Sequence, residues 1–210
     1  LMPIDLPDYD ITELAAITAA VRTFAPDVVI HTAAITDVDG CERNPDLAYR
    51  VNVLGSRNMA VAALQSNAAM VCISTDYVFD GKQEAAYRED DAPNPLSVYA
   101  RTKWLGEEQV RRLVNRHYVV RVAWLYGDGP RNFVRTVLRL ADERGSLPMV
   151  TDEVGSPTFA DDVAAALQRL IALPAYGTYQ LPNSGVCSRY EWAAEILRLA
   201  GRTGDLELIP

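Results

Sequence analysis

"AAMVCISTDYVFDG", Ala68 to Gly81, opens as an unbroken apolar run and then turns abruptly polar at Ser74-Thr75-Asp76-Tyr77. A short β-branched run without polar alternation fits a strand buried on both faces, which is the pattern of a parallel sheet. Such a strand needs helices on either side of it, and the neighbouring sequence supplies them. Upstream, "DLAYRVNVLGSRNMAVAALQSN" reads as one long helix; downstream, the segment from about Ser97 to Arg116 reads as another.

The same alternation continues outward. "ITELAAITAAVRTFAP" places Leu14, Ile17, Val21 and Phe24 at helical spacing, with Thr12 as expected N-cap and Pro26 just past the end. "DVVIHTAA" carries a buried strand, Asp27 to His31, and "YVVRVAWLYG" a third. Beyond it the pieces shorten. "NFVRTVLRLADERG" is a helix closed by Gly145, "LPMV" a brief strand, "PTFADDVAAALQRLIALP" a helix, "GTYQL" a strand, and "SRYEWAAEILRLAG" a helix with a Ser cap and a Gly stop. Repeated strand–helix units predict an α/β fold, a doubly wound parallel sheet, followed by a small mixed α/β lobe. The expected division is residues 1–126 for the core and 127–210 mainly for the lobe, with some elements returning to the core.

Composition narrows the function. Nearly half of the 210 residues are apolar, enough for a substantial core, and the net charge is −8. A chain this acidic, with no basic stripe, repels nucleic acid. Cys41, Cys72 and Cys187 are odd in number and form no CxxC pair, which argues for a reducing compartment and against a disulfide frame or zinc site. No apolar run approaches the ~20 residues of a membrane span. The expectation is a soluble cytoplasmic protein whose partners are a small molecule and, at most, a second copy of itself.

In an open parallel sheet, ligands bind beyond the carboxyl ends of the strands. Here "TAAITDVD", "STDY" and "WLYGDG" each follow directly on an apolar strand, so three strands deliver polar chemistry to one edge. In "VYARTK", Tyr99 and Lys103 stand at i and i+4, on one face of a helix. The expected arrangement is an ammonium that lowers the Tyr99 pKa, a phenol that donates a proton to a carbonyl oxygen, and the Thr75 hydroxyl bonded to that same oxygen. Lys103 would also hold a cofactor ribose.

On "VIHTAAITDVDGCE", "ISTDYVFDG", "SVYARTKWLGE", "WLYGDGPRNFVRTVL" and "DEVGSPTFADDVA" the chain resembles the extended short-chain dehydrogenase/reductases, and within them the dTDP-4-dehydrorhamnose reductase family, in order from about Asp10 to Ala200. The resemblance implies a Rossmann-like core and the reduction of a dTDP-4-keto-6-deoxysugar with NADPH (or NADH). It implies Thr75, Tyr99 and Lys103 as catalytic residues. Asp10, Ile11, Ala33, Ala34, Thr36 and Asn52, with Tyr99 and Lys103, would border the cofactor. Val38, Asp76, Tyr77, Trp124, Asn132 and Thr158 would face the nucleotide-sugar substrate. Sugar-nucleotide dehydratases of the superfamily carry Asp-Glu after the Thr; here Asp76 is followed by Tyr77, so elimination lacks its second carboxyl and plain reduction is favoured. Two other readings accompany this one: another sugar-nucleotide reductase or epimerase on the same frame, and a non-catalytic regulatory subunit resembling the methionine adenosyltransferase β subunit.

The chain also departs from the family pattern. Arg121-Val122-Ala123-Trp124 stands where the family has Arg-Thr-Ser-Trp, so two hydroxyls are missing. The first glycine is Gly40, so no glycine-rich turn precedes Asp10. A dinucleotide diphosphate needs such a turn at a helix N-terminus. The expectation is therefore a fragment, and a chain that by itself holds a dinucleotide poorly. Bland readings suffice elsewhere: His31 as a satisfied core histidine, His117 at a helix end, "REDDAP" (Arg88 to Pro93) as a solvated loop and Asp161-Asp162 in a helix's first turn. Tyr190 and Trp192 read as a packing face. No metal ligand set is expected.

Overall fold

The computed structural model describes all 210 residues. Its helices are α1 (Leu14–Phe24), α2 (Val38–Arg43), α3 (Pro45–Tyr49), α4 (Ser56–Gln65), α5 (Val98–Leu113), α6 (Phe133–Glu143), α7 (Ala160–Leu170) and α8 (Arg189–Leu199). Its strands are β1 (Val28–His31), β2 (Ala69–Thr75), β3 (His117–Val122), β4 (Leu125–Tyr126), β5 (Ser146–Pro148), β6 (Val154–Gly155), β7 (Thr158–Phe159), β8 (Gly177–Gln180), β9 (Cys187–Ser188) and β10 (Glu207–Ile209). The main sheet has the order β1-β2-β3-β8, with β1–β2 and β3–β8 parallel. The fold is α/β with a parallel central sheet.

The chain divides into two compact units. One comprises Leu1–Arg121 and Ile171–Gln180, so β8 returns to the main sheet; the other comprises Val122–Leu170 and Leu181–Pro210. The first is held by Ile17, Val21, Met59, Ala60, Met70, Cys72 and Val110, all buried between α1, α4, α5 and the sheet. A buried carboxylate, Glu107, ties α5 to β3: its oxygens accept from Arg121 Nε at 3.0 Å and Nη2 at 2.9 Å, and from Arg111 Nη2 at 2.7 Å. The second unit packs α6 against α8 through Val137, Ala141, Trp192, Ala193 and Leu197, beside three two-stranded sheets: β5–β10, β4–β7 and β6–β9.

Several local expectations change. Thr12 does not cap α1, whose N-cap is Glu13 without a side-chain bond; instead its amide donates to Asp10 Oδ1. The expected single helix around Asn52 is split by a π-helical turn, Arg50–Gly55, between α3 and α4. The strand "YVVRVAWLYG" breaks at Trp124, whose φ of 44° lies in the left-handed region. His117 begins β3 rather than ending a helix, and α6 ends on Arg144 without help from a left-handed Gly145. By contrast, the Ser188 capping box and Gly201, at φ 68°, bound α8 as its sequence suggests. No helix is long and apolar enough to cross a membrane.

Candidate active site

Thr75 is the last residue of β2, and its hydroxyl accepts from the Tyr77 amide at 3.2 Å, which starts a tight turn over Asp76–Val78. The same hydroxyl donates to Asp76 Oδ1 at 3.1 Å and lies close enough to the Tyr99 phenol to oppose the rise of its pKa. Ser97 caps α5 by accepting from the Ala100 amide, so Tyr99 falls in the first turn of that helix, where it is buried. Its ring meets Tyr77 edge-on at 5.9 Å and packs with Ile35, Val38, Cys41, Ala48 and Val98. Thr75, Asp76, Tyr77, Val38 and Tyr99 thus gather around one phenol. Ile35 belongs with them and carried no sequence signal beyond being apolar.

Lys103 lies one turn along α5. It is almost fully buried, and its Nζ donates to the Ile73 carbonyl at 2.7 Å, one strand residue inside the Ser74-Thr75 step. The expectation that this ammonium lowers the Tyr99 pKa is not what the structure shows. Burial pushes Tyr99 up to about 12, Asp76 and Tyr77 add to the rise, and only the Thr75 hydrogen bond opposes it. Desolvation dominates because the phenolate would have lost its water. At neutral pH, Tyr99 holds its proton, which suits a donor. Burial also lowers the Lys103 pKa.

The backbone segments expected to border a cofactor are fixed from the π turn. Asn52 Oδ1 accepts from the Ile35 amide at 2.8 Å, while its Nδ2 donates to the Ile35 carbonyl at 3.0 Å and to Thr102 Oγ1 at 3.0 Å. Thr102 in turn donates to the Tyr99 carbonyl at 2.9 Å. One carboxamide therefore holds the Ala33–Thr36 segment and the helix of Tyr99 and Lys103 together. Six residues on, Asn58 Nδ2 donates to the carbonyls of Ile11 and Thr12, at 3.0 and 3.1 Å, and so fixes the segment after Asp10. Gly55 makes room for that segment, since a Cβ there would lie 2.5 Å from Ile11 Cδ1. Asn58, Gly55 and Thr102 were missed from sequence because their partners lie far along the chain: the Ile11 and Thr12 carbonyls, the Ile11 side chain and the Asn52 carboxamide.

His31 ends β1 fully buried, with Nε2 3.0 Å from Ser56 Oγ, whose hydroxyl donates to the Asn52 carbonyl. Burial, with Lys103 nearby, lowers its pKa to about 3, so it is a neutral structural link. A cavity of about 700 Å³ runs beside β1 and is lined by Ile4, Ile11, Phe24, Ile30, Thr32 and Ala33, among others. It does not include Tyr99.

The other sequence-selected residues lie in the second unit. Asn132 caps α6, accepting from the Arg135 amide and donating to the carbonyls of Gly127 and Gly129. Thr158 is buried, its hydroxyl donating to the Ser156 carbonyl and accepting from the Asn183 amide. Both side chains are occupied by their own unit's backbone. Trp124 is half-buried, offset-stacked on Trp192 at 5.6 Å, with the Arg189 guanidinium 3.6 Å from its ring centroid. No cluster of His, Cys, Asp or Glu is arranged to hold a metal ion, and all three cysteines are free.

Comparison with known proteins places these features in a context. A family model described as the RmlD substrate binding domain matches residues 1–209. The dTDP-4-dehydrorhamnose reductase of Aggregatibacter actinomycetemcomitans is 36% identical, over all of this chain and 74% of its own length. The spore coat polysaccharide biosynthesis protein SpsK of Bacillus subtilis is 43% identical over 85% of this chain and 62% of its own. Among solved structures, dTDP-4-dehydrorhamnose reductase from Bacillus anthracis in complex with NADP superposes with a TM-score of 0.96 at 40% identity, covering 100% of this chain and 74% of that one. The chain spans from 62% to 74% of the length of these three relatives.

Proposed function

The chain belongs to the dTDP-4-dehydrorhamnose reductase family, and from that membership we propose that the protein reduces a dTDP-4-keto-6-deoxysugar, taking dTDP-4-dehydrorhamnose to dTDP-L-rhamnose with NADPH. The observation that carries the reading is the pair of buried hydroxyls, Thr75 at the end of β2 and Tyr99 in the first turn of α5, with burial keeping Tyr99 protonated. A keto oxygen that enters between them accepts hydrogen bonds from both, and as its carbon is reduced it takes the Tyr99 proton. Lys103, one turn along the same helix, would offset the phenolate left behind, a charge that burial opposes.

The residues present fit the two ends of a dinucleotide. Small side chains at Ala33 and Ala34, the backbone fixed by Asn52, and the Lys103 ammonium would hold the nicotinamide ribose. The nicotinamide, when bound, supplies the hydride. Asp10 and Ile11, held through Asn58, would border the adenine end. The diphosphate finds no glycine-rich turn among these residues, since the first glycine is Gly40. Val38, Asp76, Tyr77 and Trp124 complete the proposal as substrate-facing positions, with Asn132 and Thr158 shaping loops of their own unit. A cytoplasmic homodimer is part of the same proposal, tested by fractionation and sedimentation equilibrium.

The test follows absorbance of reduced nicotinamide when the whole protein is mixed with NADPH and dTDP-4-keto-6-deoxy-L-mannose. Wild type consumes it, and Tyr99→Phe lowers kcat by roughly 10²–10⁴-fold. Undiminished consumption by Tyr99→Phe, or none by wild type, removes the reading.

A further inference from the structure

Three buried residues of α5, Tyr99, Lys103 and Glu107, stand four apart and so share one helix face. The first two belong to the candidate site: Tyr99 lies by Thr75, and Lys103 donates to the Ile73 carbonyl at 2.7 Å. Glu107 reaches instead to Arg121 on β3. It takes that guanidinium through two parallel bonds, from Nε at 3.0 Å and from Nη2 at 2.9 Å. A forked pair of this kind fixes the plane of the guanidinium as well as its place.

That plane meets a ring. The guanidinium carbon of Arg121 lies 5.0 Å from the centroid of Phe79, which is itself buried. Phe79 stacks on Tyr87, with centroids 4.2 Å apart and planes at 8°. The Tyr87 phenol is held in turn, donating to Asp80 Oδ1 at 2.7 Å. Phe79 also closes the tight turn over Asp76–Val78, its amide donating to the Asp76 carbonyl at 3.0 Å. That turn begins at the Thr75 hydroxyl. One chain of contacts, Glu107 to Arg121 to Phe79, therefore joins the helix that carries the phenol to the turn that carries the hydroxyl.

Stability does not account for the arrangement. A buried ion pair is often no better than two apolar side chains of similar volume, and Arg121 Nη1 is buried without a hydrogen-bond partner, a further cost. An apolar pair would fill the same space without orienting the Phe79 ring.

We propose that Arg121 is a positioning residue: held flat by Glu107 and laid against Phe79, it sets the spacing between the Thr75 hydroxyl and the Tyr99 phenol that receive one keto oxygen. This rests on the reductase reading above. Arg121 acts through Glu107 and Phe79 and is no part of the reacting set.

The experiment uses the whole protein and compares wild type, Phe79→Leu, Phe79→Tyr and the double variant Glu107→Leu with Arg121→Met, which removes both buried charges together. One arm is steady-state kinetics. The two hydroxyls meet the oxygen most strongly in the transition state, so the double variant lowers kcat ~10–100-fold while KM for the keto sugar and for NADPH stays within about twofold. Phe79→Leu lowers kcat less, and Phe79→Tyr, which keeps the ring, restores most of it.

The other arm needs neither substrate nor cofactor: a ring-fluorinated tyrosine is placed at position 99 and its fluorine NMR signal is followed against pH. Burial, Asp76, Tyr77 and Cys41 push the Tyr99 pKa up, and the Thr75 hydroxyl holds it down. A displaced Thr75 therefore raises the fluorophenol pKa in the double variant and in Phe79→Leu. In a Thr75→Val background the same changes add no further rise, an outcome that a loss of general stability would not reproduce. An unchanged fluorine titration in the double variant overturns the proposal whatever kcat does, as does an equal rise with and without Thr75. If wild type does not reduce the keto sugar, the reductase reading fails, and the fluorine arm still decides the role of Arg121.

Discussion

The two units use their polar groups in opposite ways. In the first, single polar side chains act as hubs: Asn52 holds a loop and a helix, Asn58 a second loop, and Glu107 two arginines. In the second, position is set by stacked rings, with Phe133 on Trp192 at 4.5 Å, Trp192 on Trp124 at 5.6 Å, and Arg189 against all three. Hydrogen bonds fix distance and direction together, which suits the placing of a phenol and an ammonium. Ring stacking tolerates sliding and suits an apolar ligand face.

The largest expected effects test whether the hubs and the stacks fail differently. Glu107→Gln strands the buried Arg121 guanidinium and costs about 3–5 kcal/mol in denaturant unfolding. Trp192→Ala empties the second core and costs a similar 3–5 kcal/mol. The contrast lies in rescue. Glu107→Leu combined with Arg121→Met recovers most of the first loss, because the buried charges leave together and Arg111 keeps its pair with Glu108. If that double variant is no better than Glu107→Gln, the hub account of the first unit fails.

Next comes Asn52→Leu, expected to cost about 2–3 kcal/mol, since it leaves the Ile35 amide and carbonyl without partners. It also raises KM for NADPH more than KM for the sugar. Equal shifts in both would mean that Asn52 holds no cofactor segment in particular.

His31 gives a smaller effect with a definite sign. Its folded pKa, about 3, lies below the unfolded 6.5, so between those values the unfolded chain binds the extra proton. Its contribution is complete above pH 6.5 and is lost progressively as pH falls toward 3. Roughly 2 kcal/mol disappears by about pH 5. Replacing it by glutamine should flatten the stability profile in that window, and an unchanged slope would place the titration elsewhere. Smallest is Ser188→Ala, which removes the capping box of α8 for about 1 kcal/mol in thermal unfolding and leaves the first unit untouched.

What was readable beforehand follows the same division. Continuous apolar runs announced β2 and β3, because a strand buried on both faces has no polar alternation to hide; β1 was announced by the same kind of run, but Ile30 leaves one of its faces exposed. The catalytic candidates were readable because their chemistry is local: Tyr99 and Lys103 are one helical turn apart, and Thr75 ends a strand. The π turn was not readable, since it depends on where Asn52 finds Ile35 and Thr102, 17 and 50 residues away. Neither was the break at Trp124, which sits among β-formers and turns because Arg189 and Gly155 meet its ring.

By itself the sequence determined the order of the main-sheet strands and the longer helices, the strand-end hydroxyls and the phenol–ammonium spacing, all of which depend on neighbours within a turn or a strand. The tertiary structure decided the protonation of Tyr99, the partner of Lys103 and the pose of Trp124. Those depend on what excludes water and on which distant carbonyl, guanidinium or empty glycine position comes within a few ångströms, and no local pattern encodes that.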